Sequence, residues 1–258
     1  MHILVTNDDG INHPGLLALA QAMRALGEVT VLAPDRNWSA SGHVKTMHRP
    51  LRARETKLAD GTPAMTTDGA PSDCVALAIL GLVKKKIDLV VSGINPHANL
   101  GHDVTYSGTV TAAMEASIAG IPGVAFSLET LHENGGKDDF APAGRIAQQV
   151  AVQVIEHGLP ENTVLNVNIP YLQDDEFKGF RVTRQGLRIY NDELVQRADP
   201  HGTPYYWIGG EPPSGVAEED TDIGSILDGY ISITPLQLDL TARAFMRELR
   251  SWEWEKAS

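Results

Sequence analysis

Two adjacent carboxylates, Asp8 and Asp9, follow the first apolar segment of the chain. The apolar run at residues 2–5 predicts a strand, Gly10 interrupts it, and a helical apolar period then runs from residue 14 to 26. Ligands of open α/β sheets bind beyond the carboxyl ends of the strands. Two carboxylates placed there repel each other unless a cation or a shared proton compensates. Mg²⁺ or Mn²⁺ is the simplest compensation, because both prefer oxygen ligands. On these residues alone, a turn or a helix cap explains the pair equally well.

Two more polar loops follow predicted strands and should meet the carboxylates at the same edge of the sheet. Residues 33–43 are small and rich in hydroxyls, and they include Ser39, whereas residues 92–103 include Asn95 and Asn99. Side-chain oxygens of this kind suit a hard divalent cation. Each asparagine taken alone is more simply a turn residue that bonds the nearby backbone.

A phosphate-binding helix start is predicted at residues 107–109. Ser107, Gly108 and Thr109 offer hydroxyls, backbone N–H groups and the positive end of a helix dipole to an anion. The alternative is that Ser107 or Thr109 only caps the helix. A phosphate bound here would have its negative charge compensated on one side by a cation on the two aspartates and on the other side by the helix start.

Other catalytic motifs are missing from the sequence. It contains no Gly-x-x-x-x-Gly-Lys-Ser/Thr phosphate loop, no dinucleotide fingerprint after the first strand and no Gly-x-Ser-x-Gly elbow. His43, His97 and His102 lack the close spacing typical of zinc sites. The single cysteine, Cys74, lies in an apolar stretch and is interpreted as a small buried hydrophobe rather than a nucleophile.

The composition favours a globular protein over a polymer-binding or membrane protein. The 258 residues are 42% hydrophobic and carry a net charge of −12, with one short basic run at residues 84–86. This acidic balance argues against a nucleic-acid polymer surface. No apolar run approaches the ~20 residues of a membrane span. With one cysteine and no leader segment, we expect a cytoplasmic protein.

The order of the predicted elements indicates an α/β fold, a Rossmann-like three-layer sandwich with a mostly parallel sheet. Apolar strands that alternate with helices favour a sheet covered on both faces. The further predicted elements are strands at 28–33, 87–92, 123–128 and 163–169, helices at 73–83, 109–119 and 141–156, and a hairpin within 51–67.

The pattern weakens after residue 170, so we predict a catalytic core at residues 1–170 and a C-terminal extension at 171–258. Within the extension we predict strands at 180–185, 205–208 and 229–234, a polar loop at 209–222 and a terminal helix at 238–252. The terminal helix of this β-hairpin/helix extension has Phe245, Leu249 and Trp252 spaced for one apolar face, which suits a partner subunit or packing on its own subunit.

Stretches along nearly the whole chain resemble the SurE (survival protein E) family of metal-dependent 5′/3′-nucleotidases and phosphomonoesterases. The matching stretches are ILVTNDDG (3–10), VLAPDRNWSASG (31–42), GAPSDCV (69–75), SGIN…NLG…DVTYSGTVTAAME (92–115), LNVNIP (165–170), TRQG (183–186) and DTDIGSILDGYISITPL (220–236). The resemblance implies a Rossmann-like domain whose C-terminal elements exchange between the subunits of a homodimer or homotetramer.

The resemblance also implies a role for each matching site residue. One divalent metal ion per subunit, Mg²⁺ or Mn²⁺, would be bound by Asp8, Asp9, Ser39 and Asn95. The first two of these would also be catalytic. The substrate phosphate would be bound by Asn99, Ser107, Gly108 and Thr109.

The chain departs from the usual family pattern Ser-Gly-Ile-Asn-x-Gly-x-Asn-x-Gly-Asp-Asp at two places. Pro96-His97 replaces x-Gly, and His102 replaces the first aspartate of the final pair. The missing glycine restricts the backbone of the loop, and the missing negative charge would alter metal affinity or pH optimum. Because the implied ligands are unchanged, we expect activity to persist and substrate preference to differ.

The resemblance therefore implies a metal-dependent phosphomonoesterase that hydrolyses nucleoside 5′- and 3′-monophosphates to nucleoside and orthophosphate. The acidic pair would equally serve a polyphosphate hydrolase or a glycosyltransferase, and the same loops would suit a non-catalytic nucleotide-binding sensor. Direct attack by water and an aspartyl-phosphate route both stay open. The adjacent Asp-Asp pair, in place of Asp-x-Asp, favours water.

Overall fold

The chain forms a nine-stranded sheet covered by helices, in a computed structural model that describes residues 1–129, 138–172 and 176–254. Within these ranges the strands are β1 (His2–Thr6), β2 (Glu28–Pro34), β3 (Ala53–Lys57), β4 (Pro63–Thr67), β5 (Leu89–Asn95), β6 (Gly123–Glu129), β7 (Thr163–Pro170), β8 (Phe180–Val182), β9 (Arg188–Ala198), β10 (Pro204–Gly215) and β11 (Ile231–Gln237). The α-helices are α1 (Pro14–Met23), α2 (Pro71–Leu77), α3 (Gly108–Ile118), α4 (Ala141–His157), α5 (Asp222–Leu227) and α6 (Arg243–Leu249). A π-helical turn at Ala78–Leu82 continues α2, and a 3-10 turn at Gly101–Thr105 precedes α3. None of the helices in these ranges has the length and apolar character to span a bilayer.

Six neighbouring strands run parallel, which confirms the predicted mostly parallel sheet. The strand order is β3-β4-β2-β1-β5-β6-β7-β11-β8, in which β3 and β11 run antiparallel to β4 and β7. From β1 the chain continues to β2, which pairs with one edge of β1, and the later strand β5 pairs with the other edge. Sheets of this kind bind ligands in the crevice at such a reversal, beyond the carboxyl ends of the strands.

Both faces of the sheet are buried because successive residues of its central strands are apolar. Ile3 and Val5 of β1 belong to a core with residues of α1 and α4, and Leu4 belongs to a core with residues of α2 and α3 on the opposite face. All three side chains are fully buried, and each contributes about 1.5–3 kcal/mol to folding. The predicted three-layer sandwich is therefore confirmed.

Two boundaries predicted within the core are wrong. The first helix ends at Met23 instead of residue 26, and the Leu26 N–H closes a turn onto the Met23 carbonyl. The strand predicted at 87–92 lies at Leu89–Asn95, because its pairing with β6 resumes at Asn95 opposite Ser127. Asn95 is therefore the last residue of a strand, not a loop residue.

The C-terminal predictions hold only in part. The strand predicted at 205–208 extends over all of β10, so much of the predicted polar loop is strand, and both its partner β9 and the helix α5 were missed. The terminal helix predicted at 238–252 is confined to α6. In β9 and β10 most residues are exposed on both faces, so no apolar alternation marks either strand. Their pairing with each other defines them.

The base of the β9–β10 hairpin is anchored to the core by a buried carboxylate, that of Asp222. Its Oδ1 accepts the N–H groups of Gly186 (2.7 Å) and Ile223 (2.8 Å), and its Oδ2 accepts the N–H of Gly101 (2.8 Å). Asp222 has no exposed surface. The Gln185 side chain adds a bond of 2.7 Å to the Gly101 carbonyl. This cluster fixes the hairpin base against the turn that precedes α3.

Asp222→Ala should lower the free energy of unfolding by roughly 3 kcal/mol or more, because three buried N–H groups lose their acceptor and each loss costs about 1–3 kcal/mol. Urea denaturation followed by circular dichroism measures the change. The matched control is Asp220→Ala, an exposed neighbour that should change stability by less than about 0.5 kcal/mol. Equal stability of the two variants would show that the anchor contributes nothing.

Candidate active site

The turn after β1 is held by Asn7, a residue that sequence reasoning did not single out. Its amide nitrogen donates to the Gly10 carbonyl (3.1 Å), and its Oδ1 accepts the Gly10 N–H (3.2 Å). Gly10 has a φ of +99°, which residues with a Cβ rarely adopt. The sharp turn places Asp8 and Asp9 together on the wall of a cavity at the carboxyl edge of the sheet.

Both carboxylates are removed from water and only partly compensated. Asp8 is 3% exposed, and the Asp9 side chain is 5% exposed. Burial raises the pKa of both carboxyls, that of Asp9 to about 8, and the Asp8 charge adds to the effect on Asp9. His13 lies 3.9 Å from Asp9, but burial lowers its pKa to about 4 and leaves it neutral at pH 7. Within the described residues, Asp9 Oδ2 is buried without a hydrogen-bond partner.

The start of α3 is directed at Asp8. The Thr109 hydroxyl donates to Asp8 Oδ1, and the backbone N–H groups of Gly108 and Thr109 partly offset the effect of burial on the Asp8 pKa. A Cβ at position 108 would lie 2.7 Å from the Asp8 Cβ, so only glycine permits this approach. Neither Gly108 nor Thr109 lines the cavity. Both residues therefore support the Asp8 carboxylate directly.

The cavity brings most of the sequence-predicted residues together. Its volume is about 410 Å³, within the range of small-molecule sites. The sequence-predicted residues on its wall are Asp8, Asp9, Ser39, Asn95, Asn99 and Ser107. They come from three different connections at the carboxyl edge of the sheet, as the crevice between β1 and β5 requires.

Ser39 and Asn95 complete a set of oxygen donors beside the carboxylates. The Trp38 N–H donates to the Asp8 carbonyl at 2.7 Å, which holds the loop carrying Ser39 against the β1 turn. The Asn95 amide nitrogen donates to the His97 carbonyl, which leaves the Asn95 Oδ1 available. Carboxylate, hydroxyl and amide oxygens together fit a hard divalent cation, and the unpartnered Asp9 Oδ2 provides the charge that it would neutralise.

Histidine does not contribute a metal cluster. Across the described parts of the chain, no group of three or more His, Cys, Asp and Glu side chains is arranged to hold a metal ion. His43 pairs with Glu115 at 3.1 Å, and His102 is exposed on the turn before α3, away from the cavity lining. His97 is exposed and lines the cavity. Of the two departures from the family pattern, only His97 faces the space for a ligand.

Asn99 is fixed by a network of amides from neighbouring strands. Its backbone N–H donates to Asn168 Oδ1 (2.8 Å), and its carbonyl accepts from Asn166 (2.8 Å) and Asn168 (3.1 Å). Its side-chain amide donates to the Ser127 hydroxyl at 2.8 Å. One N–H of that amide remains for a ligand.

Ser107 combines the two roles that the sequence left open. Its Oγ accepts the Val110 N–H at 3.1 Å, so it is the N-cap of α3. The capping bond uses a lone pair and leaves the hydroxyl hydrogen available. Since Ser107 also lines the cavity, it can donate to an anion there.

Sequence reasoning missed the part of the cavity wall that the C-terminal hairpin provides. Arg188, Pro212 and Pro213 line the cavity from β9 and β10, together with Asp103 from the turn before α3 and Glu129 from the end of β6. Arg188 lies two residues after the matching stretch TRQG, but no pattern in the sequence indicates that this segment reaches the site.

Comparison with known proteins agrees with this architecture. The family model described as "Survival protein SurE" matches residues 3–192. The "5'-nucleotidase SurE" of Chloroflexus aggregans is 53% identical over 255 residues, which cover 99% of this chain and all of the relative. The protein of the same name from Herpetosiphon aurantiacus is 49% identical over 257 residues and covers both chains completely.

A solved structure extends the likeness to three dimensions. The crystal structure of SurE protein from Aquifex aeolicus superposes with a TM-score of 0.81 at 42% sequence identity, covering 97% of this chain and 98% of that one. The sheet, the crevice between β1 and β5 and the C-terminal elements therefore belong to one shared fold. This chain is a member of the SurE family.

Proposed function

We propose that this protein is a metal-dependent phosphomonoesterase that hydrolyses nucleoside 5′- and 3′-monophosphates. The observation that carries the proposal is the buried, unpartnered Oδ2 of Asp9 beside Asp8, at a cavity that also presents Ser39 and Asn95. The relatives named 5'-nucleotidase match along the whole chain, which supports the same reaction class.

The proposed cofactor is one Mg²⁺ or Mn²⁺ ion per subunit, held by Asp8, Asp9, Ser39 and Asn95. Such an ion supplies positive charge that polarises a phosphoryl oxygen of the ester. Thr109 holds Asp8 in one orientation through its hydroxyl. With one oxygen of Asp9 on the ion, its other oxygen would orient the attacking water and accept its proton.

The phosphate is proposed to lie between this carboxylate pair and the start of α3. The Ser107 hydroxyl and the remaining N–H of the Asn99 amide donate to its oxygens and stabilise the charge that spreads over them in the transition state. Gly108 and Thr109, which the family resemblance puts around the phosphate, act in this proposal by supporting Asp8.

The proposal extends to assembly and location. We propose a cytoplasmic homodimer or homotetramer that is formed through the C-terminal extension, residues 171–258. Large apolar side chains of this extension are exposed in the single chain, among them Trp207, Ile208, Phe245 and Trp252, and exposed apolar surface of this extent is typical of protein interfaces.

Orthophosphate should be released from 5′- and 3′-nucleoside monophosphates with Mg²⁺ or Mn²⁺ and should cease with excess chelator, because the carboxylates alone cannot polarise the phosphoryl oxygen. Asp8→Ala and Asn95→Ala should raise the metal concentration required for half-maximal activity. Full activity of Asp8→Ala would rule out this metal site. Tight nucleotide binding without turnover would identify a sensor instead, and phosphate released only from polyphosphate would identify a polyphosphate hydrolase.

Thr109→Val should raise the half-saturating metal concentration about tenfold or more, because a hydrogen bond to a charged group contributes about 1.5–3 kcal/mol. At saturating metal the KM for the nucleotide should stay within about twofold, since Thr109 does not line the cavity. The control Thr109→Ser keeps the hydroxyl and should restore the wild-type metal requirement. An unchanged requirement in Thr109→Val would contradict the role assigned to this hydroxyl.

Asp9→Asn should stabilise the metal-free protein at pH 8 by roughly 1 kcal/mol, an increase in Tm of about 2–4 °C. It removes a carboxylate whose charge is disfavoured first by burial and then by repulsion from Asp8. The same variant should lose activity and the increase in Tm that Mg²⁺ or Mn²⁺ produces in the wild type. Differential scanning calorimetry measures both effects. The control Asp35→Asn removes an exposed carboxylate and should change neither; a destabilised Asp9→Asn would argue against the repulsion.

A further inference from the structure

The hairpin wall, formed by Arg188, Pro212 and Pro213, closes the cavity with residues that the proposed hydrolysis does not use. All three belong to the antiparallel pair β9–β10, which is separate from the main sheet. In the part of the chain that the structure describes, Arg188 is the single lysine or arginine on the cavity lining. Among the described residues, Arg188 of the hairpin therefore provides the only permanent positive charge on the cavity wall.

Arg188 is held in place by a carboxylate with little freedom of its own. Its Nε lies 2.8 Å from Asp103 Oδ2, and the two side chains are 17% and 20% exposed. The Tyr190 hydroxyl donates to the other oxygen, Asp103 Oδ1, at 2.7 Å. Both oxygens of Asp103 are thus engaged, and Nε is the Arg188 nitrogen closest to Asp103. Within the described residues the terminal nitrogens of the guanidinium make no hydrogen bond, so they remain for a ligand in the cavity.

The hairpin wall is also fixed relative to the carboxylate pair. Asp222 joins Gly186, at the base of the hairpin, to Gly101, at the turn that carries Asp103. Only Leu187 separates Gly186 from Arg188, where β9 begins, so the position of Gly186 closely constrains that of Arg188. The guanidinium is therefore a preorganised donor, which lowers the entropic cost of binding a ligand.

The charges around Arg188 favour a neutral acceptor over a second phosphate. Asp103 compensates the guanidinium, and the cavity also contains the carboxylates of Asp8, Asp9 and Glu129. A guanidinium paired in this way still donates well to hydroxyl, carbonyl and ring-nitrogen acceptors. Pro212 and Pro213 add an apolar surface beside it, which suits a sugar or a base.

We propose that Arg188 is a specificity-determining residue that binds the nucleoside half of the substrate through its terminal N–H groups, against the surface of Pro212 and Pro213. This inference rests on the proposed function and adds to it the part of the site that distinguishes a nucleotide from any other phosphomonoester. The cavity of about 410 Å³ accommodates more than a phosphate group.

The test compares Arg188→Met on adenosine 5′-monophosphate and on p-nitrophenyl phosphate, which lacks a nucleoside. The KM for the nucleotide should rise about 10–100-fold, because hydrogen bonds to a charged donor are lost, whereas kcat/KM for p-nitrophenyl phosphate should stay within about twofold. The matched control is Arg184→Met, since Arg184 pairs with Glu218 at the exposed surface and should affect neither substrate. Arg188→Lys keeps the charge but not the planar fork and should recover part of the nucleotide affinity.

Calorimetric titration with adenosine, without metal or phosphate, separates the two proposals. Adenosine binding that is lost in a folded Arg188→Met variant supports the inference, even if the wild type releases no phosphate from any nucleotide and the proposed function fails. Equal losses of kcat/KM for adenosine 5′-monophosphate and for p-nitrophenyl phosphate would overturn the inference, because Arg188 would then act on the phosphate. Unchanged kinetics with both substrates and unchanged adenosine binding would overturn it as well.

Discussion

The burial of two adjacent carboxylates at the end of β1 is the constraint on which the rest of the site depends. Asp8 and Asp9 follow a strand that is apolar on both faces, and the Asn7 turn keeps both at the edge of the sheet. The neighbouring imidazole of His13 is neutral and offsets none of their charge. A folded state with this arrangement requires that a proton or a bound cation compensates the carboxylates, so the stability of the fold and the chemistry of the site are coupled.

The remaining elements can be understood as responses to that requirement. The reversal of strand order between β1 and β5 brings the loop after β2 and the end of β5 to the same crevice, and with them Ser39 and Asn95. The α3 helix begins with a glycine because its backbone must approach Asp8 closely. The positive end of its dipole and the Thr109 hydroxyl then stabilise one carboxylate, while Asp9 keeps a free oxygen for a ligand.

The C-terminal hairpin gives the site a wall that the parallel core cannot provide. Strands of the core end at the crevice and present short, oxygen-rich side chains, which suit a cation and a phosphate. The long side chain of Arg188 and the prolines of β10 approach from outside the sheet and are positioned by Asp222 and Asp103. The residues proposed for the reaction and those proposed for the choice of substrate therefore belong to parts of the chain with separate architectures.

The sequence by itself determined the parallel core and most of the donor set, because apolar strands, helix starts and the loops after strands leave local patterns. Local patterns indicated Asp8 and Asp9 as a candidate cation site, whereas Ser39 and Asn95 were assigned as further ligands through the family resemblance. Only the tertiary structure decided that the Thr109 hydroxyl faces Asp8, a residue 101 positions away, and that Arg188 reaches the cavity. The direction of a side chain depends on contacts between distant segments, and the two exposed strands of the hairpin carry no apolar period. No local pattern in the sequence therefore indicates where the Thr109 hydroxyl points or that Arg188 reaches the cavity.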